Sequence, residues 1–92
     1  MKPDVSTVPR LAPGVRLADR ISGQAGLLLM PERVLRLNES SLAIVELCDG
    51  KRTVQQILEE LRVKYAKAEP VQIMDDLIDY LQKLNEARAI DF

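Results

Sequence analysis

The stretch that most limits how this chain can fold is Pro31 to Leu61, because nearly every boundary in it is marked by a residue with one local use. Arg33 to Leu37 alternates, with Leu35 and Leu37 on one side and Val34 and Arg36 on the other, the period of a half-buried strand. Asn38 ends that alternation, and its side-chain oxygen can accept one of the orphan N–H groups at the start of a helix. A first helix is expected over Glu39 to Cys48, with apolar residues at 42, 44, 45, 47 and 48 and Gly50 as the left-handed residue that closes it. Thr53 followed three residues later by Gln56 fits a capping box, which opens a second helix running to Tyr65. Strand, capped helix, tight turn and second capped helix follow one another with no room for a long loop.

The flanking segments extend this pattern. Residues 1–8 have no periodicity and read as a flexible, frayed tail, leaving 9–92 as one domain. Pro9 and Pro13-Gly14 punctuate the next stretch, and from Val15 to Arg20 the alternation suits a first strand. Ser22, Gly23 and Gly26 mark a loose connection to a second strand at about Ala25 to Met30, and Pro31-Glu32 suits a turn into the third. Pro70 fits the first position of a third helix, where its missing N–H costs nothing. There Val71, Met74, Leu77, Ile78, Leu81 and Leu84 form the apolar stripe, with Ile73, Asp76, Tyr80 and Lys83 on an adjacent face. The expected fold is α+β: a three-stranded antiparallel sheet followed by three helices, resembling a winged helix-turn-helix.

Composition narrows function mainly by exclusion. With 29 of 92 residues Leu, Ile, Val or Phe, the chain can form a core, but one too small to hollow into a deep pocket. The absence of histidine removes the usual general base, the commonest metal ligand and any Ser-His or Cys-His pair. Cys48 is the only cysteine and sits in an apolar helical segment, so it reads as a buried structural thiol. Asp75 and Asp76 are adjacent on a helix and point apart, and no glycine-rich phosphate loop is present. No catalytic, cofactor or metal site is expected, and the absence of a membrane-span-length apolar run or a signal peptide fits a cytoplasmic protein.

Charge is segregated. Residues 1–38 hold six basic and three acidic side chains (+3), whereas residues 39–92 hold seven basic and eleven acidic ones (−4). The third helix sets Asp75, Asp76, Asp79 and Glu86 against Lys83 and Arg88, a poor match for a phosphate backbone. Nucleic acid is therefore not the expected partner, although a winged helix-turn-helix regulator stays open as an alternative. A structural dimerisation module is another. Peptide binding requires only an exposed strand edge, whose free N–H and C=O groups can pair with an incoming extended segment. From the residues alone, the Arg33 to Leu37 edge could equally be covered by the N-terminal segment or by a second copy, and a swapped homodimer is conceivable.

The run "LLLMPERVLRLNESSLAIVELCDGKRTVQQI" resembles the PqqD family, small peptide chaperones of pyrroloquinoline quinone (PQQ) biosynthesis within the wider class of precursor-peptide recognition domains. The resemblance covers roughly Pro9 to Ile90, and Leu37-Asn38 followed by "LCDGKRT" is its most specific part. The chain departs from relatives in having Ser40-Ser41 where Thr-Ala is usual, and in lacking a glycine near Ala87 to Ala89. The resemblance implies a non-catalytic chaperone that binds the PQQ precursor peptide and presents it to a radical S-adenosylmethionine enzyme, which cross-links a Glu and a Tyr in that peptide. It favours the peptide groove over the other readings. The expected site is a fourth strand added along Arg33, Val34, Leu35, Arg36 and Leu37, with Asp76, Tyr80 and Lys83, assigned by helical phase, as the wall.

Overall fold

In the computed structural model, which describes residues 2–19, 26–31, 33–67 and 69–92, the elements follow in the order β1 (Arg10–Leu11), β2 (Arg16–Asp19), β3 (Gly26–Met30), β4 (Arg33–Leu37), α1 (Glu39–Leu47), α2 (Val54–Lys64), α3 (Pro70–Glu86) and β5 (Ile90–Asp91). The expected α+β arrangement is present: β2, β3 and β4 form an antiparallel meander in that order, and three helices follow. β4 lies at an edge. The second strand starts at Gly26, so that glycine belongs to the strand and not to the connection before it. Arg20, Ser22, Gly23, Ala25 and Glu32 fall outside the described residues.

The core lies between one face of the sheet and the helices. Leu28 at the centre of β3 is fully buried, with Leu17 and Leu35 beside it in register. Val45, Ile57, Leu61, Leu77 and Leu81 meet it from the three helices. Ile57 and Leu61 in α2, and Leu77 and Leu81 in α3, stand four residues apart, and Leu42 and Val45 in α1 three apart, which is why each helix turns one apolar face inward.

The capping residues act as their types require. Asn38 accepts from the Ser41 N–H at 2.8 Å. Thr53 accepts from the Gln56 N–H at 3.2 Å while Gln56 accepts from the Thr53 N–H at 2.8 Å, a complete capping box. Pro13 and Gly14 (φ +81°) occupy the centre of a turn closed by the Val15 N–H donating to the Ala12 carbonyl, the type II pattern in which glycine is favoured.

Three local expectations are revised. Gly50 is left-handed (φ +77°), but α1 ends earlier at Cys48, whose N–H donates to Val45; the Gly50 N–H instead donates to the Pro9 carbonyl. Residues 2–8, read from sequence as frayed, lie against the start of α2. The carbonyls of Thr7 and Val5 accept from the N–H groups of Val54 and Gln55, the two first-turn donors that the capping box leaves free. A second, two-stranded sheet also joins the chain ends: Arg10 pairs with Asp91 and Leu11 with Ile90. Two-residue strands carry no readable alternation, so sequence gave no sign of them.

Candidate functional site

The backbone of β4 fixes what its edge can offer. Met30 pairs with Arg33 across a two-residue turn that begins with Pro31. Proline has no N–H, so this closing pair must be the kind that exchanges its own N–H and C=O groups. Hydrogen-bonded pairs then alternate: Arg33, Leu35 and Leu37 bond inward to β3, whereas Val34 and Arg36 turn their N–H and C=O groups to the open edge. Side chains follow the pleat. Leu37 is buried and Leu35 half-buried against the core, while Val34 is 56% exposed and Arg36 is exposed.

One described hydrogen bond joins the start of β4 to the end of α3. At the start of the strand, the Arg33 guanidinium donates to the Ala87 carbonyl at 2.9 Å. Just past its end, Ser40 shares a hollow of about 180 Å³ with Ile44, Leu61, Tyr65, Ile73, Asp76 and Leu77. From 33 to 38 an extended strand covers about 17 Å, and from 76 to 87 a helix covers about the same. The two edges therefore match in length. Asp76, Tyr80, Lys83 and Ala87, spaced four, three and four residues apart, fall on one stripe of the helix.

Of the eight residues named from sequence, five lie on β4 and three on α3. Asp76 and Lys83 are exposed; Tyr80 is half-buried against the core. Asp76 accepts a hydrogen bond from Gln72 at 2.8 Å. Charge is polarised along the wall, with Asp76 at one end and Lys83 and Arg33 toward the other. Sequence reasoning missed Ser40, Ile44 and Tyr65, which floor the hollow at the Asp76 end. It also missed Ala87, which bonds through its backbone and so leaves no side-chain signal. At the other end, Pro13, Met30, Pro31, Arg33, Ala87 and Arg88 line a second hollow of about 420 Å³.

No described feature assembles catalytic groups. The hollow between α1 and α2, about 690 Å³, mixes Glu46, Glu59 and Glu60 with Arg52 and Lys64 and contains no nucleophile–base pair. Among the described residues no cluster of His, Cys, Asp or Glu has metal-binding geometry, and no helix is long and apolar enough to cross a membrane. Cys48 is buried and donates to the Ile44 carbonyl; burial, with the Asp49 carboxylate beside it, pushes its thiol pKa up to about 12. A thiol held so firmly protonated is a packing group. The exposed face of α3 carries Asp75, Asp76, Asp79 and Glu86, which repel phosphate.

Residues 26–90 match the family model described as "Coenzyme PQQ synthesis protein D (PqqD)". The chain is 34% identical to the PqqA binding protein of Xanthomonas axonopodis pv. citri over 82 residues, 89% of this chain and 88% of that one. It is 37% identical over 86 residues to the bifunctional coenzyme PQQ synthesis protein C/D of Methylorubrum extorquens, covering 94% of this chain but only 23% of that protein. The solution NMR structure of the PqqD truncation of Methylobacterium extorquens PqqCD superimposes with a TM-score of 0.77 at 37% identity, covering 97% of this chain and 94% of that one. That structure represents a functional, stand-alone recognition element for ribosomally synthesised and post-translationally modified peptides.

Proposed function

Since this chain belongs to the PqqD family, we propose that it is a non-catalytic chaperone in PQQ biosynthesis that binds the precursor peptide as a fourth strand on β4 and presents it to a radical S-adenosylmethionine enzyme. The observation that carries this reading is the open edge of β4. Val34 and Arg36 there offer two N–H and two C=O groups to a guest, and α3, bonded to the first residue of the strand, carries a stripe of matching length. An extended guest meets both kinds of recognition. Its backbone pairs with Val34 and Arg36, and the side chain between those two pairs points inward, between Leu35 and Tyr80. Main-chain pairing supplies affinity, and the inward position together with the charged groove ends supplies selectivity. In this reading the protein works in the cytoplasm and needs no cofactor.

Isotope-labelled protein titrated with the precursor peptide tests this reading. Amide shifts concentrated at Val34, Arg36 and the Asp76–Ala87 stripe are expected, with duplex DNA in the same buffer causing no saturable change. Shifts confined to the α1–α2 hollow would overturn strand addition. Sedimentation of the free protein addresses the homodimer separately.

A further inference from the structure

Two arginines share the hollow at which β4 begins and α3 ends. Arg33 and Arg88 line this space of about 420 Å³ together with Pro13, Met30 and Pro31. Both arginines are exposed, and among the described residues neither forms an ion pair. Arg33 gives one N–H to the Ala87 carbonyl, which holds its guanidinium at the hollow and leaves the rest of its donor fork without a described partner. Asp91 also lines the space, but it stands opposite Arg10 in the β1–β5 register, so the described cations there still outnumber the carboxylates. Arg88 keeps its place under strain, since φ 64° is the left-handed region that glycine adopts freely and other residues do not. A strained cation beside a second, anchored cation suits an anion site.

Register says which part of a guest strand arrives there. Arg33 and Leu35 lie on the same side of the β4 pleat, and Arg33 turns its side chain to the end of α3. A guest side chain opposite Leu35 points inward, and two residues along the guest the next inward side chain stands opposite Arg33. We infer that this hollow is a carboxylate subsite, in which Arg33 and Arg88 together take an acidic side chain of the bound peptide, an inference that rests on the peptide-binding reading above. The planar arginine fork matches a carboxylate, and two such forks leave little room for an uncharged substitute. The subsite also fixes register. A guest slipped by one residue would turn its carboxylate to the other face of the sheet, and one slipped by two would carry it past the arginines.

The test uses the full chain, the precursor peptide and a peptide set in which each carboxylate in turn becomes its amide, Glu to Gln and Asp to Asn. Calorimetric titration should find one amide peptide that binds the wild-type protein at least fivefold more weakly than the parent. Arg88→Asn removes the charge but keeps a residue that tolerates the left-handed turn. It should weaken the parent peptide by a similar factor, yet that amide peptide less than twofold. Arg88→Lys should recover part of the affinity, and added salt should weaken the parent more on wild type than on Arg88→Asn. Arg33→Gln should behave like Arg88→Asn; if it melts early through loss of the Ala87 bond, Arg88→Asn decides alone. Amide peptides that all bind within twofold of the parent would overturn the inference, as would an equal loss on wild type and on folded Arg88→Asn. A loss caused only by amidating the peptide's C-terminus would assign the hollow to the terminal carboxylate and overturn the side-chain assignment. A peptide that does not bind the wild-type protein would overturn groove and subsite together, whereas binding blocked by Val34→Pro but untouched by Arg88→Asn would overturn the subsite alone.

Discussion

The Arg33 guanidinium donates to the Ala87 carbonyl at 2.9 Å, joining the first residue of β4 to the residue that ends α3. Fifty-four positions apart in sequence, these two residues close one end of the proposed groove. The bond places a cation at the negative end of the α3 dipole and satisfies a carbonyl that the helix leaves without a partner. Arg33→Met keeps the side-chain stem and removes the donor. Because the pair is exposed, the expected loss is about 0.5–1.5 kcal/mol, read from urea unfolding. An unchanged midpoint would mean that the strand and helix are held together without this bond.

The end of α3 carries a second signature at Arg88. The Arg88 N–H donates to Asn85 and the Ala89 N–H to Leu84, the paired bonds of a Schellman ending, with Arg88 in the left-handed position at φ 64°. Glycine is favoured there, since a side chain costs roughly 1–2 kcal/mol in that conformation. Arg88→Gly should therefore stabilise the domain, by about 0.5–1 kcal/mol once the greater freedom of glycine in the unfolded chain is subtracted. A destabilised glycine variant would show that the Arg88 side chain contributes more than its backbone strain costs.

The start of α2 makes the N-terminal segment part of the folded unit. Thr53→Ala removes the acceptor for the Gln56 N–H and should lower stability by about 0.5–2 kcal/mol. Deleting residues 1–8 removes the acceptors for Val54 and Gln55, at roughly 0.5–1.5 kcal/mol for each bond. Calorimetry on both variants should find the deletion at least as damaging as Thr53→Ala. A deletion with wild-type stability would return those residues to the role of a tail.

These examples show which parts of the fold the sequence could specify. Asn38, the Thr53–Gln56 pair, Pro70 and Pro13-Gly14 are legible because each acts on its immediate neighbours, and short-range chemistry depends on residue type. The hold on residues 2–8 leaves no mark in the sequence because the bonds to α2 are made by the backbone carbonyls of Val5 and Thr7, which every residue carries. The β1–β5 pair was hidden for the same reason. Arg88 was illegible because its left-handed turn is imposed by the helix end and by the β5 pairing beyond it, not by a glycine. For the candidate site, alternation separated Leu35 and Leu37 from Val34 and Arg36. It could not say which N–H groups face outward, since that depends on how the hairpin closes at Met30 and Arg33.

Cys48 gives the fold a dependence on alkaline pH. Its thiol pKa is raised from the ordinary value of 9.0 to about 12 by burial and the neighbouring Asp49 carboxylate. Above pH 9 the unfolded chain releases this proton while the folded chain keeps it. Stability should then fall by up to about 1.4 kcal/mol per pH unit as pH rises toward 12. Cys48→Ala should remove this part of the slope. Asp49 acts at the other extreme: N–H groups of Lys51 and Arg52 hold its carboxyl below the ordinary value of 3.8, so its contribution is present above that pH and lost as pH falls through the lowered value. Urea midpoints from pH 8 to 11 check the thiol, and an unchanged slope in Cys48→Ala would contradict its assignment.

Proline substitution separates the outward from the inward backbone of β4. Val34 turns its N–H to the open edge, so Val34→Pro removes a donor that no internal bond uses. The extended backbone of the strand can accommodate the proline ring, and Arg33 before it is already extended, as a residue preceding proline prefers. The domain should stay folded. A guest strand would lose one main-chain bond and meet the ring at the edge, so precursor-peptide affinity should fall at least tenfold, about 1.4 kcal/mol. Leu35 bonds inward to Leu28 at the centre of the hairpin, and Leu35→Pro should lower the melting temperature before any change in binding can be read. Calorimetric titration with the peptide, paired with thermal melts, distinguishes the outcomes. A folded Val34→Pro variant that binds the peptide like wild type would rule out strand addition at this edge, because no guest could then be taking the Val34 N–H as its partner.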